Sequence, residues 1–129
     1  MKAFAITISP RLYETDALGH INNATIAAWF EVVRVRFLES LAEDSPDIVK
    51  SWILASVHID FVGETFYGSD VTAKITDAGI GNSSFTLHTE MVQGERETVR
   101  GKAVLVYRGP QGKSPTRIPD SLREKLAAL

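Results

Sequence analysis

Residues 13–23 read Y-E-T-D-A-L-G-H-I-N-N and put a carboxylate, a glycine and an imidazole directly before a long apolar run. Those residue types at that spacing suit acyl transfer. The Asp16 carboxylate can attack a carbonyl carbon or take a proton from water. Asn23 follows in the first turn of the helix that the apolar run predicts. Backbone N–H groups there have no acceptor within the helix, and the helix dipole adds partial positive charge, so that turn can hold the negative oxygen of a tetrahedral intermediate. An isolated aspartate would read as a turn or capping residue. Gly19, His20 and the Asn22-Asn23 pair beside it shift the balance toward catalysis. Gly19 gives the loop a turn closed to other residues, or lets a ligand come close. His20, beside a helix start, takes an orienting role, and Asn23 acts through its backbone N–H.

The loop needs elements to hold it. Residues 3–9, rich in Phe, Ile and Thr, predict an opening strand that Pro10 stops. Residues 23–42 contain neither proline nor glycine, and apolar side chains crowd nearly the whole circumference, which predicts a long helix buried all round; Glu43-Asp44-Ser45-Pro46 closes it. From Trp52 the period changes to two. Ile53, Ala55, Val57, Ile59 and Phe61 alternate with Leu54, Ser56, His58, Asp60 and Val62, as in a strand with one better-buried face, bent near Gly63-Glu64. Strands are also expected over residues 70–77, 83–92 and 98–108, with glycine-containing turns between them. Pro119 can open a short terminal helix carrying Leu122, Leu126 and Leu129 on one stripe. The expected architecture is α+β: one strand, a central helix, then a meander of four strands, with the antiparallel sheet wrapped around the helix.

Composition narrows the functions. A chain of 129 residues with 44% hydrophobic residues fits a single domain over residues 1–129. Net charge of −2, pI near 5.9 and scattered basic residues give no reason to expect nucleic acid or an anionic membrane as a partner. The lack of cysteine removes disulfides, thiolate catalysis and Cys-ligated zinc together. The apolar stretch at residues 3–8 is too short for a signal peptide or a membrane span, so a cytoplasmic location is expected. There is no G-x-S-x-G elbow, G-x-G-x-x-G run or P-loop. His58 and Asp60 share a strand face but have no third ligand at a suggestive spacing, so no metal is expected.

The stretch Y-E-T-D-A-L-G-H-I-N-N, followed by Glu31-x-x-Arg34, resembles the signature of the hotdog-fold thioesterases, in particular the 4-hydroxybenzoyl-CoA thioesterase-like branch. That resemblance implies the hotdog fold and a two-fold dimer with sites at the subunit boundary. It implies a catalytic role for Asp16, as nucleophile or as general base, and substrate contacts from Tyr13, Thr15 and Gly19. Glu31 and Arg34 have the spacing of an ion pair, and in the resembled family a carboxylate at that place can face the acyl pocket. Phe61 lies in a D-F-x-x-E context similar to the family's D-F-x-x-P, with a pocket-wall role, and Gly63-Glu64 replaces the usual proline region. The family's frequent aromatic after the Asn pair is replaced by Thr25-Ile26. Ser84, in N-S-S-F, matches a segment whose hydroxyls reach a neighbouring subunit's site; a polar hairpin turn is the alternative. Among Arg96, Arg100, Lys102, Arg108 and Lys113, the residues Arg100, Lys102 and Arg108 share strand parity and are the expected contacts to the CoA phosphates.

The expected function is hydrolysis of an acyl- or aroyl-CoA thioester, or of a thioester on acyl carrier protein, with no cofactor. The alternative is a non-catalytic acyl-CoA-binding or regulatory module on the same fold. A hydratase or dehydratase would need D-x-N-P-x-H, which is missing. One helix cannot cover the open edge of a single sheet, so a homodimer or a tetramer of two dimers is expected.

Overall fold

The computed structural model describes residues 4–17, 19–41, 51–109, 112 and 114–128. Ala3, Ala42, the closing run Glu43-Asp44-Ser45-Pro46, Lys113 and Leu129 lie outside them. Strand β1 (Phe4–Ile8) leads through a one-turn 3-10 helix (Leu12–Glu14) to the long helix α1 (Asn23–Leu41). Strands β2 (Trp52–Phe61), β3 (Val71–Ile80), β4 (Ser84–Gln93) and β5 (Arg96–Tyr107) follow, then the short helix α2 (Asp120–Ala127). All five strands form one antiparallel sheet in the order β1-β3-β4-β5-β2. This is the expected α+β hotdog architecture, with one correction. Only β3, β4 and β5 form a meander; β2 pairs with β5 and becomes an edge. Alternation within a strand reports which faces are buried, and carries no information about which neighbour the strand chooses.

Helix α1 corrects a second expectation. It is not buried all round: Ile26, Trp29, Phe30, Val33, Arg34, Phe37, Leu38 and Leu41 are buried, whereas Ala24, Ala27, Ala28 and Val32 are exposed. The buried set recurs at three- and four-residue steps, the width of one helical stripe. The stripe lies against inward-facing Val71, Ala73 and Ile75 of β3, Phe85, Leu87 and Met91 of β4, and Val99 and Leu105 of β5. Close approach depends on Gly101. A Cβ there would lie 2.3 Å from the His58 carbonyl oxygen and 2.9 Å from Cζ of Phe30. The missing side chain thus makes room for the helix ring and the β2 backbone together.

Strand β2 departs furthest from the sequence reading. Its register shifts between Leu54 and Ser56, so Ala55 is an extra residue in a β-bulge. The bulge swaps faces: Leu54, Val57, Ile59 and Phe61 pair with inward-facing Leu105, Ala103, Gly101 and Val99, while Ser56, His58 and Asp60 share the outer face with Val104, Lys102 and Arg100. Neither face is well buried, because β2 is the last strand of the sheet. Leu54, Val57 and Phe61 are all more than 40% exposed.

In α2, Pro119 is the N-cap rather than the first helical residue, and Leu122 and Leu126 are buried against the core. None of the described helices is long and apolar enough to cross a membrane.

Candidate active site

The motif loop is a small closed structure. Thr15 and Ile21 face each other in an antiparallel bridge, the Asp16 N–H donates to the His20 carbonyl at 2.8 Å, and the His20 N–H returns to Oδ1 of Asp16 at 3.2 Å. Gly19 turns the chain between them with φ of 83°, a left-handed conformation that side chains disfavour. The position of Asp16 is therefore set within five residues of chain, from Asp16 to His20.

Two longer contacts fix the loop to the core. The Ile21 N–H donates to the Thr65 carbonyl at 2.8 Å, and His20 bridges Phe66. On the other side, Glu14 accepts from Nε1 of buried Trp29 at 3.1 Å through one carboxylate oxygen and from the Arg11 N–H at 2.7 Å through the other. A hydrogen bond to a charged acceptor of this kind contributes on the order of 2 kcal/mol. The sequence reading gave Glu14 no role. Trp29 holds the available signal, since a buried indole N–H needs an acceptor.

Helix α1 starts immediately after the loop. Asn22 is its cap: its Oδ1 accepts from the Ala24 N–H at 2.7 Å, and its carbonyl accepts the first intrahelical bond from Ile26 at 3.1 Å. Asn23 is consequently the first helical residue, and its N–H has no acceptor among the described residues. Asp16, His20, Ile21, Asn22, Asn23, Ile26, Phe61, Gly63, Glu64 and Thr65 together line one cavity of about 420 Å³. The motif loop, the start of α1 and the segment after β2 are its three walls. A carboxylate and a helix N-terminus sharing one recess is an arrangement able to attack an acyl carbon and hold the resulting oxyanion.

Comparison with known proteins identifies the family. The model of the thioesterase-like superfamily matches residues 10–126. The chain belongs to the thioesterase-like superfamily. The Bacillus subtilis protein YsmA is 28% identical over 126 residues, covering 96% of this chain and 85% of its own. A predicted thioesterase from Bacillus stearothermophilus superposes with a TM-score of 0.88 at 33% identity, over 98% of this chain and 96% of that one. A thioesterase from Thermus thermophilus, solved with coenzyme A and zinc, has the same fold, with a TM-score of 0.85 at 24% identity over 96% and 91% of the two chains.

Within this thioesterase fold, Asp16, His20, Asn23 and Phe61 all line the cavity. Other candidates stand apart. Tyr13 is 75% exposed, outside the cavity lining, and its hydroxyl accepts from Arg11. The Thr15 hydroxyl closes the 3-10 turn by donating to the Leu12 carbonyl at 2.8 Å. Glu31 faces away from the cavity, in a shallow groove with Val32, Val35, Arg36 and Glu39. The expected Glu31–Arg34 ion pair is not formed among the described residues. Arg34 is turned into the core, where burial pushes its guanidinium below the ordinary value and the more distant Glu31 only partly opposes this.

Ser84 pairs with Val106, seven residues along β5 from the Val99 that pairs with Phe61. At roughly 3.3 Å per residue, that places it about 23 Å from the cavity in the same chain. Arg100 and Lys102 lie exposed on the outer face of β5, with Arg100 ion-paired to Glu97, and Arg108 lies beyond the strand's end at Tyr107. His58 does meet Asp60 at 3.1 Å, but no three His, Asp or Glu side chains among the described residues converge as a metal cage.

Glu64 and Thr65, both in the cavity lining, were given no site role in the sequence reading. Glu64 places Oε2 3.3 Å from Nε2 of His20. Thr65 is buried, and its hydroxyl has no hydrogen-bond partner among the described residues.

Proposed function

We propose that the protein hydrolyses the thioester of an acyl- or aroyl-CoA, with Asp16 as nucleophile or general base and the Asn23 N–H as part of the oxyanion site. The observation that carries this reading is the shared recess: Asp16 and Asn23, the first residue of α1, line one cavity. In the general-base route, Asp16 takes a proton from water while the water oxygen bonds to the acyl carbon. In the nucleophilic route, the Asp16 oxygen forms that bond first, the C–S bond breaks to release the thiolate and leave a mixed anhydride, and water then cleaves the anhydride to the free acid and the Asp16 carboxylate. Both routes place negative charge on the former carbonyl oxygen, where a helix N-terminus is stabilising. Both end with the C–S bond broken and the thiolate released. A thiol ionises far more readily than water or an alcohol, so thiolate is a good leaving group without prior protonation. Family membership and the CoA held by the Thermus relative support CoA as the carrier.

The working unit is a homodimer in this reading. Strand β2 is an unpaired edge, and its inward-facing Leu54, Val57 and Phe61 stay exposed within one chain. A second copy adding its own β2 antiparallel would cover them and extend the sheet. Because that pairing reverses strand direction, it would also carry Ser84 of the partner subunit toward the Phe61 end of this chain. The CoA phosphates would then meet Arg100, Lys102 or Arg108 only across such an assembly.

The test is thiol release from a panel of short, long, branched and aromatic acyl-CoAs. Turnover of at least one of them is expected; no release from any would remove the hydrolase reading.

A further inference from the structure

We propose that Gln93, at the end of β4 and outside the cavity lining, is a positioning residue that holds the wall of the Asp16 cavity against the motif loop. Its kinetic arm rests on the thioesterase reading; its exchange arm does not. The wall is the connection between β2 and β3, residues 62–70, from which Gly63, Glu64 and Thr65 line the cavity. Chain that has left a strand must find other partners for its N–H and carbonyl groups. Gln93 supplies them. Its Oε1 accepts from the Phe66 N–H at 2.9 Å, and its Nε2 donates to the Phe66 carbonyl at 2.7 Å and to the Ser69 carbonyl at 2.9 Å. A carboxamide offers an acceptor and two donors without charge, so it can pair with a backbone as another strand would. Gln93 is 6% exposed, which shields these bonds from competing water.

The grip reaches the motif loop one residue away. Thr65 precedes Phe66, and its carbonyl accepts the Ile21 N–H at 2.8 Å. His20 faces Phe66 in an antiparallel bridge, and their rings meet edge to face with centroids 5.1 Å apart. The His20 carbonyl in turn accepts the Asp16 N–H. Where Phe66 sits therefore sets the spacing between Asp16 and the opposite wall. Arg96, on the same side of the wall, donates from Nη2 to the Glu64 carbonyl at 3.0 Å, but in an exposed contact open to water. Gln93 is the buried clasp of the pair.

Two measurements test this. The first is amide hydrogen exchange without substrate. In wild type the Phe66 amide should be protected although it lies between strands. In Gln93→Leu, of similar size but without hydrogen bonds, the Phe66 and Ile21 amides should exchange at least about tenfold faster relative to the amides of β4. Gln93→Asn keeps the carboxamide on a shorter arm and should show a smaller change in the same two amides. The control for general destabilisation is Leu126→Ala. Leu126 is 1% exposed in α2, beside the C-terminal end of α1, where Lys125 donates to the Leu41 carbonyl. That variant should leave Phe66 and Ile21 as protected relative to β4 as in wild type. The second measurement is kinetic. Gln93→Leu should lower kcat about tenfold, since a small misplacement of a reacting group carries a cost of that order, while Leu126→Ala should keep kcat within about twofold. A wild-type Phe66 amide that exchanges like open loop, or equal effects of Gln93→Leu and Leu126→Ala on exchange or on turnover, overturns the proposal. Absence of thiol release from wild type would instead remove the thioesterase reading and leave the exchange pattern to decide the role of Gln93.

Discussion

The Asp16 recess and the β2 edge lie side by side, sharing Phe61, yet they are finished to different degrees. The recess is tied down within one chain: its loop closes on itself, its helix is capped by Asn22, and Glu14 and Thr65 tie it to the core. The edge is not. Leu54, Val57 and Phe61 point inward, toward the helix side of the sheet, and remain exposed because β2 is the last strand of the sheet and no other described strand pairs with its free edge. An apolar row on an unpaired edge is a template for another strand. The difference teaches that the Asp16 loop is shaped by local contacts, while the β2 edge beside it is left open by the described residues.

The largest effect on the recess side should come from Asn23→Pro. Asn23 is the first helical residue, a position that tolerates proline, so the fold should survive while the N–H is deleted. Turnover should fall by about 100-fold or more, as for loss of an oxyanion donor, with circular dichroism unchanged; full activity would remove Asn23 from the oxyanion site. On the edge side, Gly101→Ala pushes a methyl group into the His58 carbonyl and the Phe30 ring. A loss of about 2–3 kcal/mol in denaturant unfolding is expected, from overpacking that backbone cannot relieve. Val57→Lys should break the comparison more selectively. It places a charge in the inward row of the edge strand, and light scattering should show a shift from dimer to a mass near 14 kDa. If wild type itself is monomeric at low micromolar concentration, the edge needs no second copy. The smallest effect is expected for Asn22→Ala, about 1 kcal/mol of helix-cap stability, with Asn23→Ala milder still because the cap is Asn22 and the Asn23 contribution is its backbone.

The same contrast explains what the sequence could reveal. The loop formed by Asp16, Gly19, His20 and Asn23 is legible because its geometry depends on neighbours a few positions away. Strand β2 was readable as a strand but not in its faces: the bulge at Ala55 has no glycine or proline to mark it, and one extra residue inverts every later side chain. Its pairing with β5 is a tertiary choice that alternation does not record. For Glu31 and Arg34, spacing allowed an ion pair, but the buried stripe of α1 claimed Arg34 first. Glu14 and Glu64 were hidden for a related reason. Each contacts a partner distant in sequence, Trp29 and His20, and a lone glutamate carries no sign of that.

The most direct test of the central claim is Asp16→Asn, measured for thiol release and for binding of a non-hydrolysable acyl-CoA analogue in the same preparation. An amide can act neither as base nor as carboxylate nucleophile, but it can still accept the His20 N–H through its oxygen. The expected result is turnover reduced by at least about 100-fold, with analogue affinity and circular dichroism close to wild type. Wild-type turnover in that variant would contradict the assignment of Asp16, and with it the reading of the recess as a catalytic site.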